Sequence, residues 1–370
     1  MIEINLIIFG IFAVMAAVQL FFYLGIFSRL AFYKNKNQKI PTEPITVIVC
    51  AKSEEDNLRK CLPTVLEQDY PNYEVIVVND NSWDETGMVL EELEKKYEHL
   101  RTITIKQDGI NISGKKYPLT LGIKGAKNEI LLMTDADCEP KSKQWISTMV
   151  RNYSAGKEIV LGYGAYQKLP TFLNKIIRFD TFFIALQYFS LALIGRAYMG
   201  VGRNLSYRNS LFFKLKGFAT HLHITSGDDD LFISRAATKN NVAIEVDERS
   251  HTISTPKENF SNWIRQKGRH ITTAKFYKPA TKMDLALLTF SSYCFIISFI
   301  SLLIMNFQIE IIVSIFVFRL MVQYFIFYKT MQKLGEKDLL MIAPVLELVL
   351  LFFYPIIFIA KAISKENQWK

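Results

Sequence analysis

Apolar positions along the chain fall into two regimes. Between residues 41 and 277 they come in short runs separated by polar stretches, whereas outside that window the runs are far longer. "ITVIVCA" (45–51) and "EVIVVND" (74–80) are rich in β-branched residues, "RTITIKQ" (101–107) alternates, and "EILLMTD" (129–135) is a further apolar run. All four read as strands. Helical stretches at 55–68, 84–98 and 118–126 separate them. Strand and helix in alternation predict a mainly parallel α/β sheet. Ligands of such sheets bind outside the carboxyl ends of the strands, which is where Asp80 and Asp135 fall.

The long runs predict membrane contact. Residues 4–28 carry no charged side chain, enough to span a bilayer with tilt to spare. Arg29, Lys34, Lys36 and Lys39 follow, and the positive-inside rule then puts the next segment in the cytoplasm. Residues 285–305 are uncharged, 309–328 hold only Glu310 and Arg319, and 339–360 hold only Glu347. A shorter apolar stretch, 179–195, repeats Phe182, Leu186, Phe189 and Leu193 at helical spacing. It reads either as a helix lying in the membrane interface or as a buried core helix. The expected organisation is a transmembrane helix over 1–28, a cytoplasmic domain over 29–280, and a membrane region of two or three spans over 281–370. Four spans leave the tail 361–370 and its three lysines outside, against the positive-inside rule, so the last segment, with Pro344 and Pro355, is a span, re-entrant or interfacial. Arg319 and Glu347 fall at similar depth on neighbouring antiparallel segments, and either pair with each other or line a polar path separately.

Composition adds to this. Half of the 370 residues are hydrophobic, with 28 Phe and 17 Tyr, which is rich for a cytosolic enzyme. The formal net charge of +9 fits basic loops beside membrane spans and also a site for polyanionic ligands such as nucleotide diphosphates. The basic residues form no long run or helical stripe, so a nucleic-acid partner is not expected. Cys50, Cys61, Cys138 and Cys294 contain no Cys-x-x-Cys pair and read as reduced, mostly buried thiols.

Four polar signals fall at strand ends or in loops: "AKSEEDNL" (51–58), "VNDNS" (78–82), "TDAD" (134–137) and "SGDDDL" (226–231), followed by "QKGRH" (266–270). In this order they resemble family 2 glycosyltransferases of the membrane-embedded kind, the group of cellulose, hyaluronan and chitin synthases, over roughly residues 40–280. The resemblance implies a Rossmann-like nucleotide-sugar-binding (GT-A type) domain with flanking transmembrane helices. It also implies sugar transfer with inversion from a nucleotide diphosphate donor, usually a UDP-sugar, with Mg²⁺ or Mn²⁺. It is expected to sit in the cell inner membrane.

Carried over by motif, Ala51, Lys52 and Glu54 would line the nucleotide pocket, and Asp80 would bind base and ribose. The first acid of the family's Asp-Asp pair is Asn79 here. Lys115 would neutralise donor phosphate, with Lys116 as the fallback. In the Asp-x-Asp motif, Asp135 would face the ribose and Asp137 the metal, which prefers oxygen ligands. The leucine spacing of "SGDDDL" selects Asp228 as catalytic base, and a slip of one selects Asp229. Gln266 and Arg269 match the family's Gln-x-x-Arg-Trp, with Arg269 on the diphosphate, but His270 stands in place of the Trp that packs at the acceptor sugar. That change leaves acceptor type and processivity open. Gly202, Asn204 and Tyr207, in "YMGVGRNLSYRNSLFFKLKGF" (198–218), would shape the acceptor pocket.

The expected function is therefore a membrane-bound glycosyltransferase with a nucleotide-sugar donor and a glycan or lipid-linked acceptor. Single-sugar transfer to a polyprenyl phosphate or lipid is the alternative within that chemistry. A non-catalytic sugar-nucleotide-binding subunit of an assembly complex is the alternative outside it, and the long α/β insertion between spans argues against a transporter.

Overall fold

A computed structural model describes residues 2–35, 42–106, 114–153 and 156–363. Lys36, Lys39, Gln107, Lys365 and Lys370 lie outside the described residues. Helix α1 (Ile2–Phe21) continues through a π-helical stretch, Phe22–Phe27, into the short α2 (Ser28–Ala31). Strand and helix then alternate through β1 (Ile45–Ala51), α3 (Glu55–Leu66), β2 (Tyr73–Asp80), α4 (Thr86–Lys96), β3 (Leu100–Ile105), α5 (Lys116–Gly125) and β4 (Ile130–Asp135). There follow β5 (Cys138–Pro140), α6 (Trp145–Val150), β6 (Ile159–Leu161), β7 (Gly164–Tyr166) and the long α7 (Phe172–Leu193). Next come β8 (Leu205–Arg208), α8 (Asn209–Lys214), α9 (Asp230–Ala236), β9 (Val242–Ile244), β10 (Thr252–Ser254) and α10 (Phe260–Ile271). Three long helices succeed them: α11 (Pro279–Ile304), α12 (Ile309–Leu334) and α13 (Ala343–Ile363).

The four strands predicted from the sequence are present, each within two residues of expectation. They form the parallel half of a seven-stranded sheet of order β3-β2-β1-β4-β8-β6-β9, in which β8 runs antiparallel to both β4 and β6. A three-stranded sheet, β5-β10-β7, stands beside it. The strands of three or four residues were not expected, because runs that short carry no readable period. Register does the functional positioning: Cys50 pairs with Asp135 and Ala51 with Asn79. Ala51, Asp80 and Asp135 therefore end side by side at one edge.

Each face of the sheet is covered, as a parallel sheet requires. On one face Val47, Val49, Val75 and Val77 pack on Leu58, Leu62 and Val65 of α3 and on Trp145 of α6. On the other, Ile48, Leu131 and Met133 pack on Leu119 and Ile123 of α5 and join a cluster that runs into α7. Gly122 lets α5 lie close, since a Cβ there would come within 2.7 Å of Ile48 Cγ2 and 3.1 Å of Val78 Cγ2.

Among the described residues, five helical segments are long and apolar enough to cross a membrane: Glu3–Ala31, Phe172–Leu193, Pro279–Ile304, Ile309–Leu334 and Lys337–Ile357. α7, the second of these, is longer than the stretch 179–195, and its Phe179, Phe182, Leu186 and Phe189 are all buried. Phe179 and Phe182 pack edge-on against Phe327 of α12. By contrast α11, α12 and α13 leave large apolar side chains exposed, among them Phe290, Ile297, Phe318, Phe325, Phe352 and Ile356. Such a belt is what a lipid-facing surface presents. α13 runs as one helix through Pro355 rather than turning back. The proline cannot donate to Leu351 O, and Tyr293 Oη of α11 donates to that carbonyl instead, at 2.5 Å.

Arg319 and Glu347 do meet, with Arg319 Nη2 3.2 Å from Glu347 Oε1. Two glutamines complete the cluster: Arg319 Nε donates to Gln19 Oε1 at 2.5 Å, and Gln323 Nε2 to Glu347 Oε2 at 2.8 Å. α1, α12 and α13 are thereby joined through one buried polar group. Breaking a buried pair from one side costs about 3–5 kcal/mol. Arg319→Glu or Glu347→Arg alone is therefore expected to lower folded yield in detergent sharply. The double swap should restore part of it, since the two glutamine amides can turn to suit either polarity. Size-exclusion yield and a double-mutant cycle on thermal stability check this, and strictly additive losses would contradict the pairing.

Candidate active site

At the carboxyl edge of the sheet, one cavity of about 410 Å³ gathers side chains that lie far apart in sequence: Lys115, Asp135, Gly202, Asp228, Asp229, Gln266, Arg269 and His270 all line it. The cavity continues between helices to Ile184 of α7, Leu285 of α11 and Tyr354 of α13.

The β1 and β2 ends form one wall of the site. Ser53, in the left-handed region at φ 55°, turns the chain after β1, and its N–H donates to Ser82 Oγ at 2.9 Å. Glu54 N donates to Thr86 Oγ1 at 2.9 Å. These two bonds tie the loop holding Ala51, Lys52 and Glu54 to the loop after Asp80. Asp80 is buried, with Lys52 Nζ 3.9 Å from Oδ2. Oδ1 is buried with no hydrogen-bond partner, an orphan acceptor ready for a ligand hydroxyl or N–H. Burial raises Asp80 above the usual carboxylate range and Lys52 opposes that. Asn79, in place of an acid, accepts from Ser82 N at 3.3 Å and serves the turn.

The two lysines take separate roles. Lys115 forms an ion pair with Asp135 at the cavity wall. Burial acts to lower Lys115, but Asp135 and Asp228 outweigh it and hold the ammonium well above its ordinary value. For Asp135, burial acts upward and Lys115 overcomes it, leaving the carboxylate below its usual range. Lys116 is buried and donates to the carbonyls of His221, Ile224 and Ser226 at 2.7, 2.5 and 2.6 Å. It is a fastener for the loop that leads into the acidic segment, and burial brings it down to about 8.

Among the described residues, Asp135, Asp137 and Cys138 bring potential ligand atoms within 4.8 Å of one another. The two carboxylates suit a hard divalent cation and the thiol does not. Cys138 is buried, its thiol is raised well above normal by that burial and by Asp137, and Sγ donates to Asp137 Oδ1 at 3.4 Å. Ser254 Oγ donates to Asp137 Oδ2 at 3.2 Å. Burial and the neighbouring Asp135 raise Asp137, as expected of a carboxylate set where a cation would stand.

The three adjacent acids are not equivalent. Asp229 accepts from Gly202 N at 2.9 Å and from Asp230 N at 2.7 Å as the N-cap of α9. Asp230 is buried and accepts from Tyr277 Oη at 2.6 Å and from Thr273 Oγ1. No other residue donates to Asp228, among the described residues. A Cβ built on Gly202 would lie 3.6–3.7 Å from Asp229 Oδ2, Lys115 Nζ and Asp228 Oδ2, which shows how closely the three converge. Burial first, and then Asp229, push Asp228 up to about 6.

Gln266 Nε2 is 3.4 Å from Tyr166 Oη. Arg269 and His270 face the same space from α10, with the His270 ring exposed. Two expectations need correction. Asn204 is fully buried outside the cavity lining: it accepts from Trp145 Nε1 at 3.0 Å and donates to the carbonyls of Tyr163 and Ser250 at 3.0 and 2.7 Å. It cross-links the two sheets. Tyr207 is likewise buried, against Phe212 and Phe232 beneath the acids. Sequence reasoning also missed Arg203. Its guanidinium lies over the Tyr166 ring at 4.2 Å on the cavity wall, near enough to Asp135 and Asp137 to influence both. An arginine inside a glycine-rich segment was the available signal.

Known proteins resemble this chain in sequence and in fold. Residues 46–214 match the family model described as "Glycosyl transferase family 2". The chain is 26% identical over 187 residues to the probable glycosyltransferase YdaM of Bacillus subtilis, covering 47% of this chain and 42% of that protein. It is 30% identical over 111 residues to the poly-beta-1,6-N-acetyl-D-glucosamine synthase of Staphylococcus epidermidis, covering 30% and 25%. To a beta-monoglucosyldiacylglycerol synthase of Nostoc it is 31% identical over 120 residues, covering 32% and 25%. The matched region thus spans less than half the length of these curated relatives. In fold, the chain is similar to the mannosyltransferase PcManGT of Pyrobaculum calidifontis, solved with GDP-Man and Mn2+. The TM-score is 0.60 at 18% identity, over 92% of this chain and 97% of that one.

The crowding of Asp228 and Asp229 carries a stability signature. Both are raised to about 6 in the folded state. A raised carboxylate favours folding while protonated, so its contribution is present at low pH and lost as pH rises through about 6. Asp228→Asn is expected to raise the melting temperature at neutral pH and to leave it unchanged below the ordinary carboxylate range. Thermal unfolding followed against pH checks this, and a lower melting temperature for the variant at neutral pH would contradict it.

Proposed function

We propose that this chain, whose residues 46–214 match the family 2 glycosyltransferase model, is a membrane-bound, metal-dependent, inverting glycosyltransferase. Its donor is a nucleotide diphosphate sugar and its acceptor is held at the membrane. One observation carries the reading. A single cavity joins the strand-end carboxylate Asp135, its partner Lys115, the open carboxylate Asp228 and the Gln266–Arg269 pair, and extends to membrane-helix residues Leu285 and Tyr354. The relatives named above as a diacylglycerol glucoside synthase and a glucosamine polymer synthase bracket the acceptor, lipid at one end and polymer at the other.

In this reading the orphan Oδ1 of Asp80 receives the nucleoside. Asp135 and Asp137 would hold Mg²⁺ or Mn²⁺, which when bound supplies charge neutralisation for the leaving diphosphate. Lys115 and Arg269 add fixed positive charge on the same side. Asp228 takes the proton of the acceptor hydroxyl as its oxygen bonds to the anomeric carbon. The bond from that carbon to the diphosphate oxygen breaks on the opposite face, and the nucleoside diphosphate leaves with the bonding electron pair. Asp228 suits the base role better than Asp229, whose oxygens are already engaged by Gly202 and Asp230. The catalytic domain faces the cytoplasm, where nucleotide sugars are made.

A panel of nucleotide sugars, read by release of UDP or GDP from the purified protein with Mg²⁺ or Mn²⁺ and with chelator, tests the reading. Metal-dependent release with one sugar is expected, and none across the panel would overturn it. Asp137→Asn should abolish transfer and the metal dependence of donor binding, and donor affinity that still responds to metal would remove Asp137 from that role. Asp228→Asn should lower kcat about 10²–10⁴-fold while donor binding persists. Since the base works as a carboxylate, kcat/KM in the wild type should fall as pH drops through about 6 and level off above it. A profile flat across that range would exclude Asp228 as the base.

A further inference from the structure

At its inner end the cavity is closed by a buried charge that the chemistry above does not use. Asp180 is the one acid in α7 and is 1% exposed. A carboxylate there is costly unless paired. Two residues from other helices satisfy it: Lys267 of α10 forms an ion pair with Oδ2, and Tyr354 of α13 donates to Oδ1 at 2.5 Å. Both partners line the cavity, together with Ile184, Tyr188 and Leu285.

The balance of charge around the cavity is uneven. Four cationic side chains line it, apart from histidine: Lys115, Arg203, Lys267 and Arg269. Lys115 is paired with Asp135, and Arg203 lies on Tyr166 beside the Asp135–Asp137 turn. Arg269 is close enough to Asp228 to feel its charge. In the reading above these three serve the end where the diphosphate leaves. At the membrane-helix end the one cation among the described lining residues is Lys267, and Asp180 cancels it. With Arg269 engaged by the donor diphosphate, as in the reading above, an anionic headgroup entering from that side would meet Asp228, Asp229 and Asp230 with no unpaired cation among the described lining residues to balance it. An uncharged hydroxyl would instead find the one open carboxylate able to accept its proton.

Resting on the reading above, we infer that the acceptor is the uncharged hydroxyl of a membrane amphiphile rather than a lipid phosphate, and that Asp180 sets this choice by neutralising Lys267. Asp180 is a specificity-determining residue that acts through Lys267 and touches neither donor nor acceptor.

The full chain is reconstituted in phosphatidylcholine vesicles holding equal mole fractions of either dioleoylglycerol or dioleoyl phosphatidate, and metal-dependent nucleotide release is measured with the donor found in the panel. The wild type should be stimulated by dioleoylglycerol at least ~10-fold more than by phosphatidate, a difference of about 1.4 kcal/mol. Asp180→Asn, which uncovers Lys267, should cut that ratio by ~10-fold, mainly through a lower apparent KM or inhibition constant for phosphatidate. Lys267→Met added to Asp180→Asn should bring the ratio back. A residue that served folding alone would lose both activities together and would not be rescued by removing the lysine. Greater stimulation of the wild type by phosphatidate, or stimulation by neither lipid while donor still binds, overturns the inference and leaves the transferase reading intact. Loss of metal-dependent donor binding in the wild type would overturn that reading first. If Asp180→Asn fails to fold, the wild-type ratio and Lys267→Met decide. Lys267→Met should keep the preference for dioleoylglycerol, and a switch to phosphatidate would contradict the assignment.

Discussion

The joint between the seven-stranded sheet and the long apolar helices depends on a charge buried where few charges survive. Arg178 of α7 is 2% exposed, and its Nε lies 2.9 Å from Oε2 of the equally buried Glu336. Tyr163 Oη reaches Oε1 of the same glutamate at 3.1 Å, and Asp338 takes a further Arg178 N–H at 2.7 Å. Removing one partner of such a group strands the other, at about 3–5 kcal/mol. The pair therefore specifies more than it stabilises: it fixes where α7 crosses the end of α12. Two residues along α7, Asp180 repeats the device toward α10 and α13. One helix thus sets the positions of the elements that wall the inner cavity.

The outer half of the cavity follows from strand register. Parallel pairing brings the ends of β1, β2 and β4 level, so three loops open at one edge. Asp80, Asp135 and the Lys115 that answers Asp135 meet there with no contribution from the membrane helices. The acidic segment arrives from elsewhere in the chain, held by Lys116 through three carbonyls and by the Asp229 cap on α9. Like charges at this density raise one another's proton affinity. The structure tolerates them by engaging two of the three in hydrogen bonds and leaving Asp228 open. A base that is partly disfavoured as an anion accepts a proton more readily, so the same crowding that weakens the fold at neutral pH suits the chemistry proposed for it.

Much of this was legible before the structure. β-branched runs of strand length ending in polar residues located β1, β2 and β4 and the acids at their ends, because burial on both faces forces a continuous apolar pattern. Stretches of twenty or more residues with few charges marked the membrane helices, and the lone Arg319 and Glu347 within them read as either a pair or two separate lining groups, because charge at that depth needs a partner or a polar cavity. The local motifs, Asp135-Ala136-Asp137 and Gln266 to Arg269, were equally visible, since their spacing is short enough to be carried by one turn or one helix.

Other features were decided only by tertiary contacts. Lys115 and Lys116 are neighbours of one type, and which faces the cavity depends on the angle at which α5 meets the sheet. Asp228 and Asp229 differ in which one caps α9 and which one the Gly202 amide reaches across 27 residues. Asn204 looked like a pocket residue until Trp145, Tyr163 and Ser250 surrounded it. Asp180 looked like an early charge at the edge of an apolar run until Lys267 and Tyr354 closed on it. Sequence alone determined the residues whose surroundings are local or periodic: the strands, the membrane helices and the short acidic motifs. Tertiary structure alone decided which of several similar charges stays free, because a charge's availability depends on partners from distant parts of the chain, and no pattern of spacing encodes them.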